Sequence, residues 1–197
     1  MQEIDHLKTY FNSVVKISKS IDFYQIDKLI DILLTIRVNN GRLFFLGVGG
    51  SAANASHAIN DFRKLCGIEC YSPLDNVSEL TARINDEGWE SALVEWLKIS
   101  KLNSNDAIFI LSVGGGNIEE NVSVNLIKAV NYAKDVNSKI LGIVGRDGGY
   151  TKIHGDQVIL IPTVEEHLVT PLSESFQSII WHSIVSNPKL QINKTKW

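Results

Sequence analysis

Residues 42–54 read RLFFLGVGGSAAN: an unbroken apolar run, a glycine-rich turn, then small residues that open a helix. A continuous run, unlike an alternating one, predicts a strand covered on both faces, as in a parallel sheet held between helices. The pattern returns as DAIFILSV at 106–113, KILGIVG at 139–145 and DQVILIP at 156–162, with a weaker run at 68–74. Five strands with helical stretches between them predict an α/β fold, a three-layer αβα sandwich around a five-stranded parallel sheet. Upstream, Leu7, Tyr10, Phe11, Val14, Val15 and Ile17, and then Ile26, Leu29, Ile30, Ile32, Leu33, Leu34 and Ile36, recur at helical spacing. Two helices therefore fill residues 1–40 and end near Asn39-Asn40-Gly41. The sheet domain is expected over 41–187, followed by a partly ordered tail over 188–197.

Composition narrows the function classes. The 197 residues carry 19 Lys and Arg against 22 Asp and Glu, a formal net charge of −3, so no global field attracts a polyanion and a general nucleic-acid binder is excluded. No apolar run approaches the ~18 residues of a membrane span. The start, Met1-Gln2-Glu3-Ile4-Asp5-His6, lacks the basic and then apolar signature of a secretory signal, so a cytoplasmic location is expected. Cys66 and Cys70 form a C-x3-C pair with no second pair, poor for a closed zinc site, and read as reduced cysteines.

In an open parallel sheet, ligands sit beyond the carboxyl ends of the strands, near the switch in strand order. After the first strand, Gly49, Gly50 and Ser51 lead into a helix whose positive N-terminus favours phosphate; a tight structural turn explains the same string. After the third strand, Ser112, Gly114, Gly115, Gly116 and Asn117 form a second glycine loop, again expected to open onto a helix. Two such loops in one small sheet favour a phosphorylated metabolite over structural turns. After the fourth, Gly145-Arg146-Asp147-Gly148-Gly149 offers an arginine for phosphate, although pairing with a surface carboxylate is the expectation for Arg146. No nucleotide cofactor is implied.

The ordered set GVGGSAANASHAINDF, NVSELTARINDEGWE, SVGGGN, GIVGRDGG and ESFQSIIWH resembles the sugar isomerase (SIS) fold and, within it, the phosphoheptose isomerase family, over roughly residues 20–187. The resemblance implies a homotetramer that interconverts sedoheptulose 7-phosphate and D-glycero-D-manno-heptose 7-phosphate for bacterial surface polysaccharides. The alternative is a non-catalytic SIS module that binds a sugar phosphate or a protein partner.

Ketose-to-aldose isomerisation needs a base for the proton beside the carbonyl and an acid to shuttle protons between the two oxygens of an enediol. His57 and Asp61, four apart, share one helix face, although a plain surface pair has the same spacing. Glu174 and His182 are eight apart, ~12 Å of helical rise, so if both act, different subunits supply them. By the resemblance, Asp61 is the base, His182 the acid, and a zinc ion is held by His57, Asp61, Glu174 and His182. Several positions depart from the family. Asp61 stands for glutamate, Glu174 for glutamine, Val48 for asparagine and Asn76 for an acidic residue; the second loop replaces S-T-S-G-N-S. Asn76 joins Gly49, Gly50, Ser51, Ser112, Gly114, Gly115 and Asn117 as a candidate substrate-binding residue.

Overall fold

In the computed structural model, which describes residues 2–195, two helices, α1 (Gln2–Ser20) and α2 (Phe23–Val38), precede the sheet. The Asp22 side chain caps α2 by accepting from the N–H groups of Tyr24 and Gln25. The chain then alternates: β1 (Arg42–Leu46), α3 (Gly50–Cys66), β2 (Glu69–Tyr71), α4 (Val77–Glu87), α5 (Ala92–Ile99), β3 (Ala107–Ser112), α6 (Val124–Asp135), β4 (Lys139–Val144), α7 (Gly149–His154), β5 (Gln157–Leu160) and α8 (Val169–Val185). All pairings are parallel, in the order β2-β1-β3-β4-β5.

The unbroken apolar runs have the expected cause. Successive side chains point to opposite faces of a strand, and both faces are covered. Leu43, Phe45, Phe109, Leu111, Leu141 and Ile143 pack with α2, α3 and α8, whereas Phe44, Leu46, Ile108, Ile110 and Ile140 pack with α5 and α6. Phe45 stacks on Phe109 with ring centroids 4.9 Å apart and meets Phe62 of α3 at 5.2 Å, which fixes α3 over the sheet centre. At the opposite end of the sheet from the glycine loops, buried Asp106 accepts from the Arg42 amide and pairs with its guanidinium at 2.7 Å, tying β1 to β3.

Two segments are more specific than composition suggests. Residues after α8 fold back: Leu190 is fully buried, the Arg37 guanidinium donates to the carbonyl oxygens of Leu190 and Cys66, and the Ile192 and Asn193 amides donate to the Leu65 oxygen. The second glycine loop does not open directly onto a helix. Asn117 and Val122 exchange two backbone hydrogen bonds to make a small hairpin turn, Asn121 adopts a left-handed φ of 54°, and α6 starts only at Val124. The Asn117 side-chain oxygen accepts from the Glu120 amide, the local bond that competes with an earlier helix start.

Candidate active site

β1 and β3 are neighbours in the sheet although β2 lies between them in sequence, so the order switches direction there and the loops beyond their carboxyl ends diverge. A cleft of about 970 Å³ opens at that place, lined from the first loop by Val48 and Ser51, from the second by Ser112, Gly114 and Asn117, and from the third by Arg146. The two glycine loops predicted to face one ligand therefore share one cleft.

The reasons for the glycines differ. Gly49 caps α3 with φ 62° and ψ −129°, no side chain caps that helix, and its first N–H groups are left for a ligand or solvent. A Cβ on Gly50 would lie 2.5 Å from the Glu174 carboxyl carbon, so this glycine admits a carboxylate to the electropositive end of α3. In the second loop, a Cβ on Gly115 would lie 1.9 Å from the Gly148 oxygen, and the Thr151 amide and hydroxyl both donate to the Gly115 oxygen. Gly115 is thus required by the contact between the second and third loops. Gly114 has only an ordinary 3.6 Å contact with Arg146.

Both loop serines are held by neighbours. The Gln177 amide donates to Ser51 Oγ, and the Gly115 amide donates to Ser112 Oγ, each at 3.0 Å. A hydroxyl that accepts in this way keeps its own proton to donate elsewhere. Gln177, fully buried in α8, also accepts from Asn54 and so ties the start of α3 to α8. The sequence reading missed it, although a polar residue on the apolar face of a helix was the available signal. Asn76 caps α4 by accepting from the Ser78 and Glu79 amides and does not line the cleft.

The second group of candidates assembles farther along the same two helices. α3 and α8 run side by side in one direction, so Asn54 meets Glu174 and Gln177 while His57 meets Trp181 and His182. Asp61, mostly buried, places Oδ2 3.9 Å from His57 Nε2 and 3.9 Å from His182 Nε2. His182 Nδ1 lies 2.8 Å from the Ser178 carbonyl oxygen, an acceptor only, so Nδ1 carries a proton and Nε2 is the ring nitrogen that faces Asp61. Fully buried Trp181 stacks on His182 and meets the His57 ring edge at 4.8 Å, which orients both imidazoles. Farther down α3, burial pushes the Cys66 thiol up to about 12, opposed by the charge of Arg37 and reinforced by that of Asp61. Cys66 and Cys70 are both buried free thiols.

His57, Asp61 and His182 offer three ligand atoms within 4.8 Å of one another. Two imidazole nitrogens and a carboxylate oxygen suit a divalent cation, and the two 3.9 Å distances from Asp61 are about half an ångström wider than the edge of a tetrahedral zinc site with ~2.1 Å bonds. Glu174 does not join them. It lies more than two turns before His182 on α8, with its carboxylate against Gly50. From Ser51 at the cradle to Asp61 in the cluster is ten residues of α3, about 15 Å of rise. None of His57, Asp61 and His182 lines the cleft.

No family model matches the chain. It is 30% identical over 156 residues to the phosphoheptose isomerase of Helicobacter pylori strain P12, spanning 75% of this chain and 77% of that protein. Against the phosphoheptose isomerase of Helicobacter hepaticus it is 30% identical over 162 residues, spanning 80% and 77%. Among solved structures it resembles phosphoheptose isomerase GmhA from Neisseria gonorrhoeae with a TM-score of 0.78 and 21% identity, over 93% of this chain and 95% of that one. That likeness is one of fold, and the αβα sandwich with a parallel five-stranded sheet is the SIS fold.

Proposed function

The chain belongs to the phosphoheptose isomerase family, and from that premise we propose that it interconverts sedoheptulose 7-phosphate and D-glycero-D-manno-heptose 7-phosphate through an enediol. The observation that carries the chemistry is a carboxylate set between two imidazole Nε2 atoms, 3.9 Å from each. Asp61 takes the proton from carbon 1 of the ketose, and its carboxyl, after exchange with solvent, gives a proton at carbon 2. His182, neutral with its proton on Nδ1, accepts at Nε2 from one substrate oxygen and gives to the other as imidazolium. A non-catalytic regulator has no use for such a trio, and this favours the enzyme.

The phosphate is assigned to the cleft, where Ser51, Ser112 and Gly114 supply hydroxyl and amide groups and Gly49 and Gly50 open the uncapped N-terminus of α3, while Gly115, its amide donated to Ser112 Oγ, shapes the loop. Asn117 lines the same cleft and Asn76 stands one element away, at the cap of α4. A ketose phosphate reaches only about 9 Å from its carbonyl carbon to phosphorus, seven bonds at ~1.3 Å each along an extended chain. That is shorter than the rise from Ser51 to Asp61, so the cradle of one chain serves the acid and base of another. Ile4, Leu7, Phe11 and Val15 leave an exposed apolar stripe on α1 that a homo-oligomer, a tetramer in this reading, covers.

Were zinc bound, His57, Asp61 and His182 would hold it, with Glu174 from a neighbouring chain as a fourth ligand, and it would supply Lewis-acid polarisation of the substrate carbonyl. The acid-base roles rest on the same side chains. No described helix is long and apolar enough to cross a membrane; a cytoplasmic place in the heptose route to surface polysaccharides fits that. The test is Asp61→Asn with sedoheptulose 7-phosphate as substrate, before and after chelation. Turnover falls at least ~100-fold with the circular dichroism spectrum unchanged; unaltered turnover refutes Asp61 as the base.

A further inference from the structure

The cleft has an unusual charge balance for a phosphate site. Glu119 and Glu120 on the Asn117–Val122 turn, Asp147 and Glu166 all line it, and the Glu174 carboxylate sits at the N-terminus of α3 behind the first loop. Like charges at this range oppose a dianion. The serine hydroxyls and loop amides are neutral donors, and the positive end of α3 already faces Glu174. Among the residues lining the cleft, Arg146 is the one cationic side chain.

Three further observations single it out. Its guanidinium has no hydrogen-bond or ion-pair partner among the described residues, so the surface pairing expected from sequence is not formed. Its stem lies across the second glycine loop: Cδ is 3.6 Å from where a Cβ on Gly114 would stand. Its backbone has φ 51°, a left-handed conformation that costs a side-chain-bearing residue free energy, in a loop whose Gly148 and Gly149 hold positive φ without that cost. A strained arginine kept where glycine fits better, without a structural partner, is the mark of a ligand-facing residue.

We propose that Arg146 is the phosphate anchor of this chain: its planar fork engages the substrate phosphate over the second glycine loop and supplies the charge that the acidic rim and the lost hydroxyls of that loop withhold. The inference rests on the phosphosugar reading and assigns the residue that makes the cleft bind an anion.

The experiment compares wild type with Arg146→Gly and Arg146→Lys. Calorimetric titration with inorganic phosphate reads the anchor without requiring turnover. Both variants should bind phosphate about 10- to 100-fold more weakly, the lysine retaining part of the affinity as a point charge. Arg146→Gly should melt at or above the wild-type temperature because the left-handed φ is relieved. A purely structural arginine gives the reverse pattern, lower stability with phosphate affinity intact, and overturns the proposal; so does a wild type that binds no phosphate. With sedoheptulose 7-phosphate, the KM of each variant should rise in step with its loss of phosphate affinity. Wild-type protein that binds phosphate through Arg146 yet turns over no heptose phosphate removes the isomerase reading and leaves the anchor standing.

Discussion

Mixing two inactive chains should restore activity. Asp61→Asn removes the proposed base and leaves the proposed cradle; Gly114→Asp puts a carboxylate beside Arg146 in the cleft and leaves Asp61. Gly114 has no positive φ and its Cβ position meets only the 3.6 Å Arg146 contact, so the aspartate is accommodated without backbone strain. The structure supplies the reason for mixing: about 15 Å of α3 separates cradle from cluster, against a substrate reach of about 9 Å. If each site takes its cradle from one chain and its acid and base from another, a random one-to-one mixture has both parts intact in about a quarter of its sites, whatever the oligomer size. Each variant alone should show at most about 1% of wild-type turnover. The assay is isomerase turnover after the two chains are denatured together and refolded, with differently tagged chains to confirm that hybrids form. Confirmed hybrids with activity no higher than the separate variants refute the shared site.

Further outcomes follow from the packing. Gly115→Ala should cost about 1–3 kcal/mol in thermal unfolding because its Cβ meets the Gly148 oxygen at a φ of 70°, whereas Gly114→Ala should stay within ~0.5 kcal/mol. Leu190→Ala should cost about 2–5 kcal/mol, the penalty of a core position, and a change under 0.5 kcal/mol in urea unfolding would show that the fold-back of the last residues is not formed in solution. Cys66 holds its proton in the folded state to about pH 12, whereas an unfolded thiol loses it near 9. Its contribution is therefore complete below pH 9 and lost as pH rises toward 12, a slope of about 1.4 kcal/mol per pH unit. Urea unfolding at pH 8, 9 and 10 should reveal it, and Cys66→Ala should remove its share of the slope, leaving that of Cys70, whose buried thiol is pushed up in the same direction.

The sheet was legible because burial on both faces writes itself as unbroken apolar runs: Leu43 and Phe44 go to opposite layers and both must be apolar. The position of the loops followed from that. Their detail did not. A glycine string looks the same whether it turns the chain at a positive φ beside open space, as at Gly49, admits a carboxylate, as at Gly50, or admits a neighbouring loop, as at Gly115. The Asn117–Val122 turn depends on one side-chain bond that competes with helix initiation and leaves no periodic signal. At the His57–Asp61–His182 cluster, the four-residue spacing of His57 and Asp61 was readable, but His182 joins them across α3 and α8 through packing around Trp181, a contact that no local spacing encodes. Glu174 was grouped with them by family likeness, and within one chain two turns of α8 keep it at the other end of α3.

The most direct test of the central claim is a proton NMR time course of the purified protein with sedoheptulose 7-phosphate in deuterium oxide. An enediol route with Asp61 open to exchange predicts a growing aldose signal with deuterium at carbon 2. Deuterium should also enter carbon 1 of the remaining ketose. No aldose, or aldose formed with carbon 2 fully protonated by the original hydrogen, would contradict it.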